Sequence, residues 1–176
     1  MKEELSIYAA KIEELAKEKK NELFYNSSEE HAEIVHKALV KNASDYIEIL
    51  SGNLCSEISN TSEYCRLVEE FLQKDSRPSI KILFTDYSET FLQKPIAGVL
   101  KKYPSQVKIK QYEGQINYKD QPVHFTVSDD RAFRLETDIE KRMAFGNFNS
   151  PSQAKSLHTI FNKVFESSLT KPVSLC

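Results

Sequence analysis

Short apolar segments with the character of β-strands alternate with amphipathic helical segments along most of this 176-residue chain. The predicted strands are residues 23–25, 46–50, 80–84, 107–110, 123–127, 132–135 and 142–145. A helical segment comes before each of the first four strands. A last helix starts at Pro151, and proline is favoured in the first turn of a helix. This alternation predicts an α/β fold, with a mixed, largely parallel sheet flanked by helices.

The N-terminal segment carries a single apolar stripe at helical spacing, formed by Leu5, Tyr8, Ile12 and Leu15. We therefore expect an N-terminal helix in residues 1–21, a main domain in residues 22–168 and a flexible tail in residues 169–176. The stripe can pack on its own domain or form a short two-helix seam with a second copy of the chain. Both interpretations stay open at this point.

Composition argues against several classes of protein. The chain has 24 Lys and Arg against 26 Asp and Glu, a balance that disfavours a dedicated nucleic-acid binder. No stretch approaches the roughly 18 apolar residues of a membrane span.

The three cysteines, Cys55, Cys65 and Cys176, are odd in number and have no Cys-x-x-Cys spacing. They therefore indicate free thiols in a reducing cytoplasm. With only four glycines and no phosphate-cradling glycine motif, no cofactor is expected.

Three segments, residues 26–54, 122–136 and 146–165, follow one another in an order that resembles a known family. The first places a helix before a strand and a polar loop, the second is a strand ending near Asp129, and the third begins Gly-Asn-Phe-Asn. Together they resemble one repeat of the phospholipase D superfamily. That family's signature strand holds a His, a Lys two residues later and an Asp five residues after the Lys. A glycine–asparagine segment follows, and the resemblance places Asn147 and Asn149 there as candidate binding residues.

The signature is degenerate in this chain. With Asp129 at the family's Asp position, the nucleophilic His position falls on Pro122 and the Lys position on His124. Taking His124 as the nucleophile instead places Thr126 and Arg131 at the other two positions. The chemistry needs an imidazole to attack phosphorus and a cation to hold the phosphoryl oxygens. The resemblance therefore implies the scaffold of the family with its catalysis lost.

Three residues are the candidates for any chemistry that survives: His124, Asp129 and Glu136. His124 is a candidate nucleophile or phosphate contact at a strand end, where α/β proteins place their sites. The carboxylates of Asp129 and Glu136 would suit a divalent-metal nuclease. A phosphohistidine route needs a second imidazole to protonate the leaving oxygen, and we expect only the symmetry copy of His124 in a dimer to supply it.

A second set of candidates could hold a nucleic-acid backbone. It consists of basic residues with Tyr103 and Tyr112 close by: Lys101, Lys102, Lys108 and Lys110. No metal site is expected, because His31 and His36 are five residues apart and do not share a helix face as two ligands would.

Taken together, the residues and the resemblance predict a catalytically degenerate phospholipase D-like domain that acts as a binding or assembly module in the bacterial cytoplasm. Kinship implies a DNA-processing or phage-defence system. In this family, members with one repeat assemble as two chains, which implies a homodimer or a protein partner for this chain. Nucleic acid is a further candidate partner. No association with a membrane is expected. Two alternatives stay open: an active phosphodiesterase or nuclease using His124 across a dimer, and a purely structural partner protein.

Overall fold

One eight-stranded sheet organises the computed structural model, which describes residues 2–74 and 77–175. The strands, including a separate two-stranded hairpin, are β1 (Leu23–Asn26), β2 (Tyr46–Ser51), β3 (Ser79–Phe84), β4 (Val107–Tyr112), β5 (Asn117–Tyr118), β6 (Gln121–Pro122), β7 (His124–Ser128), β8 (Ala132–Asp138), β9 (Met143–Asn147) and β10 (Thr170–Pro172). The helices are α1 (Lys2–Lys17), α2 (Glu29–Asn42), α3 (Ser62–Gln73), α4 (Pro95–Leu100) and α5 (Pro151–Phe165), with 3-10 turns at Glu57–Ser59 and Glu89–Gln93.

The large sheet is mixed, with strand order β1-β9-β8-β7-β2-β3-β4-β10. β2, β3 and β4 are parallel and are connected through α3 and α4. The other pairings are antiparallel, because the C-terminal part of the chain adds β7, β8 and β9 as hairpins beside β2. A mixed sheet flanked by helices is thus confirmed, with its parallel part confined to three strands.

The alternating apolar residues of the central strands form the core. On one face, Ile47, Ile49 and Ile82 pack against α3 and α4. On the other face, Phe125 and Val127 pack against α5. Because side chains alternate across a strand, each strand supplies both layers.

The helices begin where the sequence offers suitable caps. The Ser28 hydroxyl accepts a hydrogen bond from the His31 backbone N–H at the start of α2, and Pro151 occupies the first turn of α5. The helical segment between β3 and β4 is divided at Lys94 into the 3-10 turn Glu89–Gln93 and α4. Pro95 restricts the residue before it to extended backbone, and Lys94 has φ −81° and ψ 148°.

The apolar stripe of α1 packs on its own chain. Ile12 and Leu15 are each 1% exposed and contact Val35 and Leu39 of α2. These two residues are therefore not available for a two-helix seam with a second copy. The N-terminal half of the helix differs, since Ile7 is 64% exposed.

Residues 170–172 form β10 rather than a loose segment, so the structure differs here from the flexible tail that we expected. β10 pairs antiparallel with β4, and the backbone N–H of Val173 donates to the carbonyl of Ile109 at 2.9 Å. Pairing at this edge satisfies backbone groups of β4 that would otherwise face solvent. Cys176 lies outside the described residues, and the remaining division into residues 1–21 and 22–168 stays a prediction.

Cys55 and Cys65 are free thiols. Among the described residues, no helix combines the length and the apolar character needed to cross a bilayer.

Candidate functional site

A small cavity of about 40 Å³ lies between α2 and the sheet, at the carboxyl end of β2 and the start of β7. We call it the His124 cavity. Its polar and ionisable lining residues are His36, Ser51, Ser56, Ser59, His124, Thr126, Arg134, Glu136 and Arg142. The volume is enough for a few ordered waters or a small polar group.

His124 and Glu136 meet in this cavity because they are directly paired in the β7–β8 ladder. His124 Nδ1 lies 3.3 Å from Glu136 Oε2. The opposite edge of the ring faces Gly52, where a Cβ atom would lie 3.7 Å from His124 Cε1 and 3.9 Å from Nε2. A carboxylate at Nδ1 orients the ring and leaves Nε2 as the atom available to a ligand.

Glu136 is part of a buried charge network beneath the cavity. Arg134 and Glu136 are 2% and 3% exposed, and Arg134 Nη2 donates to Glu136 Oε1 at 3.0 Å. Arg134 Nε donates to Asn26 Oδ1 at 3.0 Å, and Asn26 Nδ2 donates to the carbonyl of Arg142 at 2.7 Å. Burial alone would raise the pKa of Glu136, but His124, Arg134 and Arg142 outweigh it and lower that pKa to about 2. Glu136 is therefore a fixed anion at neutral pH.

Arg142 brings a second guanidinium to the cavity from the turn between β8 and β9. Its Nη1 lies 3.7 Å from Glu136 Oε2, its Nε lies 3.8 Å from Glu29 Oε1, and its side chain is 29% exposed. The residue has φ 55°, a left-handed conformation that costs energy for a side chain of this size. Arg142 is thus the cation of the cavity that retains contact with solvent.

His36 of α2 places a second imidazole in the same cavity as His124. This corrects the expectation that only a symmetry copy of His124 could supply one. The pKa of His36 falls to about 3, mainly because of burial and further because of the nearby Arg134 charge, so the ring is neutral at pH 7. The sequence feature that could have identified His36 is its position four residues after Ala32, which places it on the buried face of α2.

Asp129 lies at the other end of β7, five residues from His124, and does not line the cavity. Five residues of extended strand span about 16 Å. Its carboxylate accepts hydrogen bonds from the backbone N–H groups of Ser44, Asp45 and Tyr46 and lies 3.4 Å from Arg131 Nη2. The structure therefore brings two of the three candidate catalytic residues together and separates the third.

Asn147 and Asn149 also lie away from the His124 cavity. Asn147 is 3% exposed, its Nδ2 donates to Asn21 Oδ1 at 2.8 Å, and its Oδ1 accepts from the Asn149 backbone N–H at 2.8 Å. In the sheet, Asn147 pairs with Leu23 and Phe133. These contacts connect the segment before β1 to the segment before α5.

The four candidate lysines do not form one continuous surface. Lys101 and Lys102 follow α4, which packs on the same face of the sheet as α3, and Lys102 pairs with Glu69 at 2.8 Å. Lys110 lies on the opposite face, where it donates to the Phe165 carbonyl of α5, and Lys108 shares that face by strand alternation. Within residues 2–74 and 77–175, no group of three or more His, Cys, Asp or Glu is arranged to hold a metal ion.

Sequence comparison identifies one family. Residues 28–173 match the model of a domain of unknown function, DUF7931. Comparison with curated proteins finds no match.

Structural comparison finds a phospholipase D-like fold. NucT from Helicobacter pylori superposes with a TM-score of 0.60 at 14% identity, covering 88% of this chain and 99% of NucT. Nuc from Salmonella typhimurium, a phospholipase D family member, gives a TM-score of 0.53 at 11% identity, covering 88% of this chain and 97% of Nuc. TrmBL2, an archaeal chromatin protein with a novel mode of DNA binding, gives 0.60 at 13% identity, covering 98% of this chain and 65% of TrmBL2. At these identities the likeness establishes the fold and not the activity.

Proposed function

We propose that this chain, which belongs to the DUF7931 family and has a phospholipase D-like fold, binds a phosphodiester group of a nucleic acid in the His124 cavity without hydrolysing it. The observation that carries this proposal is the charge of the cavity. Its fixed charges are the cations of Arg134 and Arg142 and the anion of Glu136, a net of one positive charge. A phosphodiester carries one negative charge and accepts the hydrogen bonds that guanidinium and imidazole groups donate.

Arg142 and His124 are the residues that we expect to contact the ligand. Arg142 is partly exposed at the cavity, and His124 presents Nε2 on the side away from Glu136. Arg134 has a different part, since its Nε and Nη2 are engaged by Asn26 and Glu136. It is a positioning residue that keeps Glu136 ionised and thereby keeps the His124 ring oriented.

Loss of hydrolysis follows from the degenerate signature. Aligned on Asp129, the signature places Pro122 at the nucleophile position, and Pro122 lies on β6 outside the residues that line the cavity. Among the described residues, no lysine lines the His124 cavity. The signature's lysine, which holds the phosphoryl oxygens in the family, therefore has no lysine counterpart in this cavity. In this proposal the cavity binds an anion but lacks the His and Lys pair on which the family's covalent chemistry depends.

Nucleic acid is the ligand favoured by kinship of fold, because TrmBL2 binds DNA. The proposal includes a homodimer in the cytoplasm, as single-repeat kin imply, and a role in a DNA-processing or phage-defence system. A protein partner that supplies the other half of the assembly is the alternative to the second copy.

The test is fluorescence anisotropy with labelled single- and double-stranded DNA over a salt series. We expect binding that weakens with salt and an affinity about tenfold lower in Arg142→Ala, since a charge-assisted phosphate contact contributes about 1–3 kcal/mol. Lys171→Ala is the matched control, because it removes one positive charge from β10 at the far edge of the sheet. Equal affinities in the wild type and Arg142→Ala would contradict the proposal.

An active phosphodiesterase is the second candidate, and the presence of His36 and His124 in one cavity is the observation that favours it. In that case His124 Nε2 would attack phosphorus while Glu136 holds its Nδ1, and the bond from phosphorus to the leaving oxygen would break. The neutral His36 ring would donate a hydrogen bond to the leaving oxygen, and water would supply its proton. Metal-free cleavage of a phosphodiester that disappears in both His124→Ala and His36→Ala would establish this candidate. Cleavage that requires a divalent metal and depends on Glu136 would indicate a metal nuclease, and a chain that neither binds nor cleaves would support a purely structural role.

A further inference from the structure

An exposed carboxylate lies beside the cation that we expect to contact the ligand. Glu29 Oε1 is 3.8 Å from Arg142 Nε, and the Glu29 side chain is 67% exposed. Glu29 begins α2 and comes three residues before Ala32, which lines the His124 cavity. Residues three apart share a helix face, so Glu29 lies one helical turn outside Ala32. We call this position the mouth of the cavity.

The side chain of Arg142 is held loosely, although its backbone is fixed. Its guanidinium lies between Glu29 at 3.8 Å and Glu136 at 3.7 Å, and both separations are longer than a hydrogen bond. Asn26 Nδ2 donates to the Arg142 carbonyl at 2.7 Å, which anchors the backbone of the turn. A phosphate group can therefore enter between the guanidinium and the Glu29 carboxylate and accept the hydrogen bonds that neither glutamate takes.

The interior of the cavity and its mouth carry charges of opposite sign. The interior has a net of one positive charge, from two arginines and one glutamate. Glu29 places a negative charge at the mouth. Asp86 adds a second exposed carboxylate beside Gly52, where a Cβ atom would lie 4.0 Å from Asp86 Cβ. The interior thus matches a ligand with one negative charge, and any further charge on the ligand meets carboxylates.

We propose that Glu29 makes the His124 cavity selective for phosphodiesters over phosphomonoesters. This inference rests on the proposed function and names the residue that decides which phosphates bind at its site. A phosphodiester carries one negative charge, whereas a phosphomonoester carries about two above neutral pH. Arg142 attracts both ligands, and the Glu29 carboxylate repels the additional charge of the monoester. Glu29 is therefore a specificity-determining residue.

The position of Glu29 in α2 keeps its charge at the mouth when a ligand binds. Glu29 lies in the first turn of a 14-residue helix, and the partial positive charge at a helix N-terminus stabilises a carboxylate there. That stabilisation remains after a phosphate has replaced Glu29 as the partner of Arg142. The carboxylate consequently stays near the bound phosphate and acts on its charge.

The test measures selectivity with two ligands that differ by one methyl group. Thymidine 5′-monophosphate is a monoester, and its methyl ester is a diester. Both are titrated into the full chain and followed by NMR at about pH 8, where the monoester is fully ionised. We expect the wild type to bind the diester at least about tenfold more tightly, and Glu29→Gln to lower this ratio about tenfold, because a unit charge a few ångströms away in a partly exposed site has an effect of that size.

Glu30→Gln is the matched control. It removes the same charge from the same helical turn, but Glu30 lines the groove between α1 and α2, so the selectivity ratio should equal that of the wild type. Equal ratios in the wild type and a folded Glu29→Gln variant would overturn the inference and leave the proposed function intact. The inference would also fall if Glu29→Gln bound both ligands more tightly by the same factor, since Glu29 would then only compete for Arg142. A wild type that binds neither ligand would refute the proposed function, and this inference with it.

Discussion

Replacing Glu136 with Gln removes one buried charge at nearly constant side-chain volume and leaves the Arg134 guanidinium without its counter-ion. The pKa of Glu136 lies at about 2 instead of the ordinary 4.5. At about 1.4 kcal/mol per pKa unit, this difference corresponds to about 3 kcal/mol of stability at neutral pH. Breaking a buried ion pair from one side costs a similar amount, about 3–5 kcal/mol. We therefore expect Glu136→Gln to lower the free energy of unfolding by about 3 kcal/mol at pH 7.

The pH dependence makes this prediction specific. Because the folded pKa of Glu136 is lowered, its stabilisation is complete above the ordinary pKa of 4.5 and is lost as pH falls through about 2. Urea denaturation of the wild type and Glu136→Gln should accordingly show a difference that is large at pH 7 and shrinks steadily below pH 4.5. Glu113→Gln, at a glutamate whose side chain is 77% exposed, should leave the unfolding midpoint unchanged.

A double variant separates the charge effect from a packing effect. Arg134→Met with Glu136→Gln removes both charges, and we expect it to recover part of the stability lost in the single variant, since no uncompensated charge stays buried. The reasoning would be refuted by a Glu136→Gln variant that loses less than about 1 kcal/mol, or whose loss does not change with pH.

Three further outcomes follow from the same structure. The pKa of His36 is lowered to about 3, so as pH falls below 6.5 the unfolded chain binds a proton at this residue before the folded chain does. His36→Asn should therefore reduce the stability lost between pH 7 and pH 4 by about 3 kcal/mol in thermal denaturation. Asp129→Ala removes the acceptor for the backbone N–H groups of residues 44–46 and should cost about 2–3 kcal/mol in urea denaturation, with DNA affinity unchanged. Gly146→Ala places a Cβ atom 2.3 Å from the Phe133 carbonyl oxygen in the β8–β9 ladder. The melting temperature should fall, by an amount corresponding to about 3 kcal/mol, because neither strand can move away.

Local features of the sequence were sufficient to predict most elements and much of the core. The alternation through Ile47 and Ile49 marks β2, and Pro151 marks the start of α5, because periodicity and capping depend on neighbours a few residues away. The resemblance in residues 22 to 168 predicted the phospholipase D-like fold that structural comparison confirms.

The composition of the site was decided by tertiary structure. His36 and His124 are 88 residues apart in sequence and meet only because α2 packs over the start of β7. Asp129 and Glu136 were equivalent carboxylates in the sequence, yet strand register pairs Glu136 with His124 and leaves Asp129 at the far end of β7. Helix packing and strand register are set by contacts between distant segments, so a pattern within one segment identifies a strand or a helix but not the partners of its polar side chains.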